Sequence, residues 1–266
     1  MRTQSSTGEL CPEPEGFGPV KPFLEHLEDL RWVLVRCLVG VILGTLACFT
    51  AADRVMEIVM GPLAYLPSDA VPKLEQRGPS APFAVVMKVG LYGGIGLSLP
   101  IVAGVLIAYL FPALRSTERA ILWRAVLIGG GLFALGAAAA YGIVTPVILT
   151  ASVRFSAWLG LSASVWFVED YVGFVLQLLV GMGLAFEVPL LVWLGVRLGV
   201  VEVALLRRGR PYAVLGNLII SAFLTPADFV SCLMLAVPLQ ALYEIGLWFA
   251  SRSEGGDCHP STDCQI

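Results

Sequence analysis

The stretch from residue 171 to residue 196 reads YVGFVLQLLVGMGLAFEVPLLVWLGV and carries a single charged side chain, Glu187. About 20 apolar residues in a helix are enough to cross the hydrocarbon core of a bilayer. The stretch therefore predicts a membrane-spanning helix. A carboxylate near the middle of such a helix is costly to bury, so we expect Glu187 to face a groove or another helix rather than lipid.

The composition of the whole chain indicates the same class of protein. The chain has 266 residues, of which 57% are hydrophobic and 14% are charged, and its mean hydropathy is +0.82. Soluble domains hold about 45–50% apolar and about 25% charged residues. Too few charges are present to cover a water-facing surface, so the sequence predicts an integral membrane protein.

Five further apolar stretches accompany the one that contains Glu187. The sequence therefore predicts an all-α polytopic membrane protein with six transmembrane helices, of which the fifth and sixth are short. Prolines within or at the ends of the apolar runs favour kinks, and several kinked helices together build a cupped, concave bundle. The predicted spans lie at about residues 32–52, 89–110, 125–148, 171–196, 212–224 and 229–249.

The two ends of the chain differ from this membrane domain, which we place at residues 23–250. Residues 1–22 are rich in Pro, Gly and Glu, which predicts a flexible cytoplasmic leader without a cleavable signal peptide. Residues 251–266 are expected to form a disordered cytoplasmic tail. Cys258, His259 and Cys264 in this tail match no zinc-binding spacing, so we predict no metal site there.

The distribution of basic residues predicts the orientation in the membrane, because cytoplasmic loops are enriched in Lys and Arg. With six crossings, the side that holds both termini has the larger set, so both termini are expected to be cytoplasmic. The net charge of −3 and the lack of a basic stripe interleaved with aromatic residues argue against nucleic-acid binding. The two sets are Lys21, Arg31, Arg36, Arg115, Arg119, Arg124, Arg197, Arg207, Arg208, Arg210 and Arg252 on one side, and Arg54, Lys73, Arg77, Lys88 and Arg154 on the other.

Two other classes of membrane protein are disfavoured. An intramembrane protease with a serine or zinc centre needs histidine at membrane depth, but His26 and His259 lie outside every predicted span. No HExxH or paired-aspartate motif is present either. A solute transporter would normally have more charges near the midplane and an internal repeat, neither of which the sequence shows.

Six short motifs, in order from about residue 23 to residue 249, carry a family resemblance. Together they are similar to the TatC family, the multi-spanning core of the twin-arginine protein translocase. The motifs are His26-Leu27-Glu28-Asp29-Leu30-Arg31, Phe111-Pro112-Ala113-Leu114 with Glu118-Arg119, Phe186-Glu187-Val188-Pro189, Arg210-Pro211-Tyr212, Leu224-Thr225-Pro226-Ala227-Asp228 and Tyr243-Glu244-Ile245-Gly246.

The resemblance implies a function that hydropathy does not. Members of this family recognise twin-arginine signal peptides and export already folded cargo, driven by the proton-motive force. They work in an oligomeric complex with single-span TatA-like and TatB-like partners in the bacterial plasma (inner) membrane. The family implies neither an enzyme nor a cofactor, so no catalytic residue is expected.

The resemblance also indicates where the signal peptide binds. Glu118 corresponds to the signal-binding loop glutamate of the family, and carboxylates bind guanidinium groups in bidentate geometry. Arg119 is expected to shape that loop, and Tyr109 stands where the family often has Phe. Asp29 stands where the family usually has Glu, so Asp29 or its neighbour Glu28 supplies a second acidic group. The alternatives are a solvated loop glutamate and an exposed amphipathic helix face.

Four further residues are candidates for contacts with partner helices. Glu187 is predicted to be a polar docking point within the membrane, and an internal hydrogen-bond anchor between helices is the alternative. Thr225 and Asp228 either contact a partner helix or cap the sixth helix, for which Asp is well suited. Glu244 either contacts a partner or extends its carboxylate to the membrane surface.

Overall fold

The computed structural model describes residues 23–66, 71–110, 116–161, 165–197, 201–225 and 229–254, and these are almost entirely helical. A 3₁₀ turn follows α2 at Gly61–Tyr65, and a π-helical turn joins α4 to α5 at Ala140–Val144. The elements are α1 (Phe23–Thr50), α2 (Ala52–Met60), β1 (Lys73–Glu75), α3 (Ala81–Leu110), α4 (Ser116–Ala139), α5 (Thr145–Trp158), β2 (Val165–Phe167), α6 (Val168–Arg197), α7 (Val203–Arg208), α8 (Arg210–Leu224) and α9 (Phe229–Glu254).

Within these described ranges, five helical segments are long and apolar enough to cross a membrane. The prediction of an all-helical polytopic membrane protein is therefore confirmed. The apolar helix α8 has only 15 residues, or about 22 Å at 1.5 Å per residue, which is less than the roughly 30 Å of a hydrocarbon core. The five long segments are Leu30–Thr50, Ala81–Val105, Val126–Trp158, Val168–Arg197 and Ser231–Arg252.

Several helices are longer than their apolar cores indicated. The helix of the second span begins at Ala81, so Lys88 lies inside it rather than in a loop. The third span continues through α5, which includes Arg154. The last helix, α9, runs to Glu254 and is not short, and residues 251–254 are helical rather than part of a tail. Long basic side chains allow this because their aliphatic stems can extend the charge toward the membrane surface.

The third span contains an irregularity beside Pro146. Proline removes a backbone donor and clashes with the carbonyl four residues earlier, and the π-helical turn at Ala140–Val144 precedes it. The Thr145 hydroxyl donates to the Ala140 carbonyl at 2.8 Å and satisfies one acceptor in this wide turn. Tyr141 lies in the same turn, near the middle of the third long segment, Val126–Trp158.

Helix α6 forms the centre of the bundle because it packs against α3, α4 and α9. Val172, Val175, Leu178 and Met182 on α6 are almost completely buried. Helix α1 lies at the periphery and packs mainly on α3. Apolar residues on the outer faces of the helices remain exposed in the chain alone, as expected for a surface that faces lipid.

A short parallel sheet joins two connections that are far apart in the sequence. Residues of β1 pair with β2 in the register Lys73 with Val165 and Glu75 with Phe167. The apolar pattern of the chain did not predict these strands, since each has only three residues. Residues 1–22, residues 226–228 and the predicted tail residues Cys258, His259 and Cys264 lie outside the described residues.

Candidate functional site

Glu187 lies on the part of α6 that faces α4. Its side chain is half-buried, and a β-carbon built at Gly129 of α4 would lie 2.8 Å from Glu187 Oε2 and 3.1 Å from Oε1. The carboxylate therefore rests directly against the backbone of α4, in space that a side chain at position 129 would occupy. No described Lys or Arg forms an ion pair with it, so this charge has no counter-ion in the described part of the chain.

Two close helix contacts fix α6 on either side of Glu187. A β-carbon at Gly136 of α4 would lie 2.7 Å from the Met182 carbonyl oxygen of α6. A β-carbon at Gly246 of α9 would lie 2.7 Å from the Pro189 Cα of α6. Small residues at such positions let helix backbones approach closely in a membrane. These two glycines hold the segment that carries Glu187 between α4 and α9.

A row of polar side chains, here called the polar seam, connects α8 to α9. It consists of Arg210, Asn217, Gln240 and Glu244. Arg210 Nη2 lies 2.9 Å from Glu244 Oε2, and Gln240 Nε2 donates to Glu244 Oε1 at 3.4 Å. Asn217 Nδ2 donates to Gln240 Oε1 at 2.9 Å. Glu244 is thus already paired within the chain, although its side chain remains 40% exposed.

Thr225 closes the last turn of α8. It is buried, and its hydroxyl donates to the Ser221 carbonyl at 2.9 Å. Its backbone N–H donates to the same carbonyl at 3.0 Å. The side chain therefore adds a second hydrogen bond to a carbonyl of α8. This contact belongs to the fifth helix and differs from the cap on the sixth helix that the sequence offered as the alternative to a partner contact. Asp228 lies outside the described residues.

Sequence reasoning missed the uncharged amides that connect these helices. Gln177 of α6 donates from Nε2 to the Phe223 carbonyl near the end of α8, and Asn217 and Gln240 form the middle of the polar seam. Amides within apolar helices are a recognisable signal, because they form hydrogen bonds across helix contacts in membranes. Their partners could not be read from the sequence.

The predicted signal-binding residues lie at one end of the α1–α3 pair. These two helices run antiparallel, since Gly40 faces Ile101 and Gly44 faces Gly94. The amino-terminal end of α1, which carries the exposed Glu28, is therefore at the end where α3 finishes.

The connection from α3 to α4 is at that same end. Tyr109 is in the last turn of α3, and Glu118 and Arg119 are in the first turn of α4 rather than in a loop. The side chains of Asp29, Tyr109, Glu118 and Arg119 lie outside the described part of the structure. Within the described ranges, no three His, Cys, Asp or Glu side chains converge as a metal site.

Comparisons with known proteins identify a family for this fold and site. The family model described as Sec-independent protein translocase protein (TatC) matches residues 25–238. The chain is 35% identical over 234 residues to the Sec-independent protein translocase protein TatC of Azotobacter chroococcum mcd 1, covering 87% of this chain and 89% of that protein. It is 30% identical over 231 residues to the protein of the same name from Escherichia coli (strain K12), covering 86% and 88%.

A solved structure is similar over nearly the same length. The crystal structure of the twin arginine translocase receptor TatC superposes with a TM-score of 0.77 at 29% sequence identity. The match covers 86% of this chain and 99% of that chain.

Proposed function

The chain belongs to the TatC family of Sec-independent protein translocase proteins, and on that premise we propose that it is the signal-peptide-recognising core of a twin-arginine translocase. As a member of a translocase family it is a transport subunit and not an enzyme. The observation that carries the proposal is the likeness to the twin arginine translocase receptor, which extends over 99% of that chain. The proposed cargo is folded protein, and the proposed energy source is the proton-motive force.

The proposed signal site is the end of the molecule where α1 begins and α3 connects to α4. Glu118 binds the paired arginines of the signal peptide there, assisted by Asp29 or Glu28. Two carboxylates suit two planar, permanently charged guanidinium groups, each of which offers paired donors. Arg119 keeps the connection in shape, and Tyr109 packs against the signal peptide beside it.

The proposed partners are TatA-like and TatB-like single-span helices in an oligomeric complex. Glu187 supports this proposal because its carboxylate is half-buried and has no described counter-ion, so a polar group on a docked helix would lower the cost of keeping the charge there. Thr225, Asp228 and Glu244 mark a second contact on the α8–α9 hairpin. There the polar seam leaves the Glu244 side chain 40% exposed.

The proposed location is the bacterial inner membrane with both termini in the cytoplasm. The excess of Lys and Arg on that side supports this orientation. Arg207 and Arg208 at the end of α7 are exposed and stand where the chain enters α8, so they suit the cytoplasmic membrane surface.

Replacement of Glu118 tests the signal site. Glu118→Ala is expected to lower export of a folded twin-arginine reporter about tenfold or more, because a charge-assisted bidentate contact contributes about 1.5–3 kcal/mol. The measurement is export in cells, together with photocrosslinking to signal peptides that carry Arg-Arg or Lys-Lys from a photoreactive residue at position 116, which leaves Glu118 in place. Glu202→Ala is the matched control, because Glu202 is an exposed glutamate at a helix start on the same predicted side.

Unchanged export in the Glu118→Ala strain would remove Glu118 from the signal site. Equal crosslinking of the Arg-Arg and Lys-Lys peptides to the chain that retains Glu118 would contradict recognition of paired arginines altogether.

A further inference from the structure

A cavity of about 480 Å³ lies at the end of the bundle opposite the signal site, where α5 ends and α6 begins. Residues from α5, β2, the first turns of α6 and the start of α9 line it. Its volume is within the range of about 300–1,000 Å³ that is typical of small-molecule sites. Glu187 lies at least 13 positions farther along α6 than any lining residue of that helix, or about 20 Å at 1.5 Å per residue, so the cavity is separate from the proposed partner groove.

The polarity of the cavity changes from its inner wall to its mouth. Ile148, Leu149 and Tyr171 form part of the inner wall and are buried to more than nine-tenths. Phe155 is 44% exposed, and the Asp170 side chain is 59% exposed. An apolar interior with a charged mouth fits an amphipathic ligand whose tail points inward.

Charges of both signs lie at the mouth or beside it, because Asp170 lines the cavity and pairs with Arg77, which is next to the lining. Arg77 Nη2 lies 2.6 Å from Asp170 Oδ2, and Arg77 Nε lies 3.6 Å from Glu169 Oε1. The side chains of Arg77 and Asp170 are each 59% exposed, so both charges remain accessible. The Arg77 guanidinium pairs with both carboxylates. The nearby Lys88 ammonium donates instead to the Glu169 backbone carbonyl at 2.7 Å. Asp170 therefore keeps capacity to accept from a second cation.

Aromatic side chains surround the same opening. Trp166 and Phe155 line the cavity, and Trp166 stacks on Tyr171 with ring centroids 6.4 Å apart. Aromatic faces attract cations, and an ammonium group within about 6 Å of a ring is stabilised. The mouth thus combines a carboxylate and aromatic faces for a cation with a guanidinium for an anion.

The position of the mouth along the bundle matches the level of lipid headgroups. The third membrane-length segment ends at Trp158 and the fourth begins at Val168, so Trp166 lies between the two segments and Asp170 lies in the first turn of the fourth. Tryptophan and tyrosine are enriched at the level of the headgroups. A ligand can therefore enter from the lipid itself.

We propose that this cavity binds one phospholipid with an ethanolamine headgroup. An acyl chain occupies the apolar interior beside Ile148 and Leu149, the ammonium binds Asp170, and the phosphate faces the exposed guanidinium of Arg77. A phosphatidylglycerol headgroup carries the same phosphate without the ammonium, so it leaves the Asp170 carboxylate facing an anion. The site consequently prefers the zwitterionic headgroup. This inference does not depend on the signal site or on any protein partner.

Lipid titration of the purified, delipidated full-length chain tests the proposal. Native mass spectrometry compares phosphatidylethanolamine with phosphatidylglycerol of identical acyl chains, and the ethanolamine lipid is expected to bind about fivefold more tightly. Ala151→Trp fills the cavity and is expected to weaken that binding about tenfold or more. Ala157→Trp is the matched control, because Ala157 is exposed on the same helix and does not line the cavity.

The headgroup assignment has its own variant. Asp170→Asn changes the charge but hardly the shape, and it is expected to bring the affinities of the two lipids to near parity, whereas Asp53→Asn on the exposed surface of α2 leaves the preference unchanged. Size-exclusion profiles establish whether each variant is folded. If Ala151→Trp does not fold, the lipid preference of Asp170→Asn tests the proposal by itself. Equal affinities of the wild-type chain for both lipids, or unchanged binding in a folded Ala151→Trp variant, would overturn the proposal.

Discussion

Glu187 and Gly129 form the most informative contact between single residues. The carboxylate occupies space that any side chain at position 129 would take, so the glycine sets where the charge rests. Gly130 and Gly131 follow directly on the same helix, but a β-carbon at Gly131 would meet no atom within 4 Å. The chain therefore offers two neighbouring glycines with opposite relations to the charge.

Gly129→Ala is expected to displace the Glu187 carboxylate without unfolding the chain, because the clashing atoms are the mobile end of a side chain. If Glu187 docks a partner helix, partner co-purification and export should fall about fivefold, which corresponds to a contact of about 1 kcal/mol. Gly131→Ala is the control and shares any gain in helix propensity. Equal behaviour of the two variants would contradict a positioning role for Gly129.

At the scale of elements, the attachment of α1 to α3 depends on small residues. A β-carbon at Gly44 would lie 2.7 Å from the Gly94 carbonyl oxygen, whereas one at Gly40 would lie 3.7 Å from the Ile101 side chain. The first distance involves backbone, which cannot move aside as a side chain can. The close approach of the α1 and α3 backbones therefore requires glycine at position 44 but not at position 40, one turn earlier.

Gly44→Ala is expected to destabilise the packing of α1 on α3 by about 1–3 kcal/mol, the usual cost of overpacking a tight contact. The measurement is thermal unfolding of the detergent-solubilised chain, with Gly40→Ala as the control. The Gly40 variant should be as stable as the wild type or slightly more stable, since alanine favours helix by about 1 kcal/mol over glycine. A Gly44→Ala chain as stable as the Gly40→Ala chain would show that the two helices separate easily.

At the scale of the whole molecule, the short helix α8 decides the topology. In the part of the chain that the structure describes, five segments are long enough to cross, whereas α8 is apolar but has only 15 residues. Helices of this length cross only with local thinning of the lipid or with flanking residues that extend to the surface. Arg210 is the first residue of α8, and the polar seam runs along the length of this helix. Both features suit a short crossing helix, because they place hydrogen-bond partners inside the hairpin.

Single cysteines in a cysteine-free background are expected to report this topology. Ser116→Cys, Arg208→Cys and Arg252→Cys should react with a membrane-impermeant reagent only after the cytoplasmic side is opened. Leu161→Cys should react from outside in intact cells. If α8 does not cross, position 252 alone changes side and is labelled from outside, so that one result separates six crossings from five.

Hydropathy and motif order were sufficient for the class, the family and most of the spans. The apolar run around Glu187 lies within α6, and the predicted first span lies almost wholly within α1, whose first turns precede it. These features depend on neighbours along the chain, which a sequence displays directly. The limits of the helices at Ala81, Trp158 and Glu254 were missed, because a helix continues wherever its charges can extend to the membrane surface.

The sequence by itself determined that this chain is a helical membrane protein with a lone carboxylate in its fourth long span and with the ordered motifs of one family. Only the tertiary structure decided that Glu187 rests on Gly129, that Glu244 pairs with Arg210, and that a cavity opens beside Asp170. The physical reason is that such pairings depend on the rotation and relative height of helices far apart in the chain. Local periodicity specifies each helix face, but it does not specify which face of another helix will meet it.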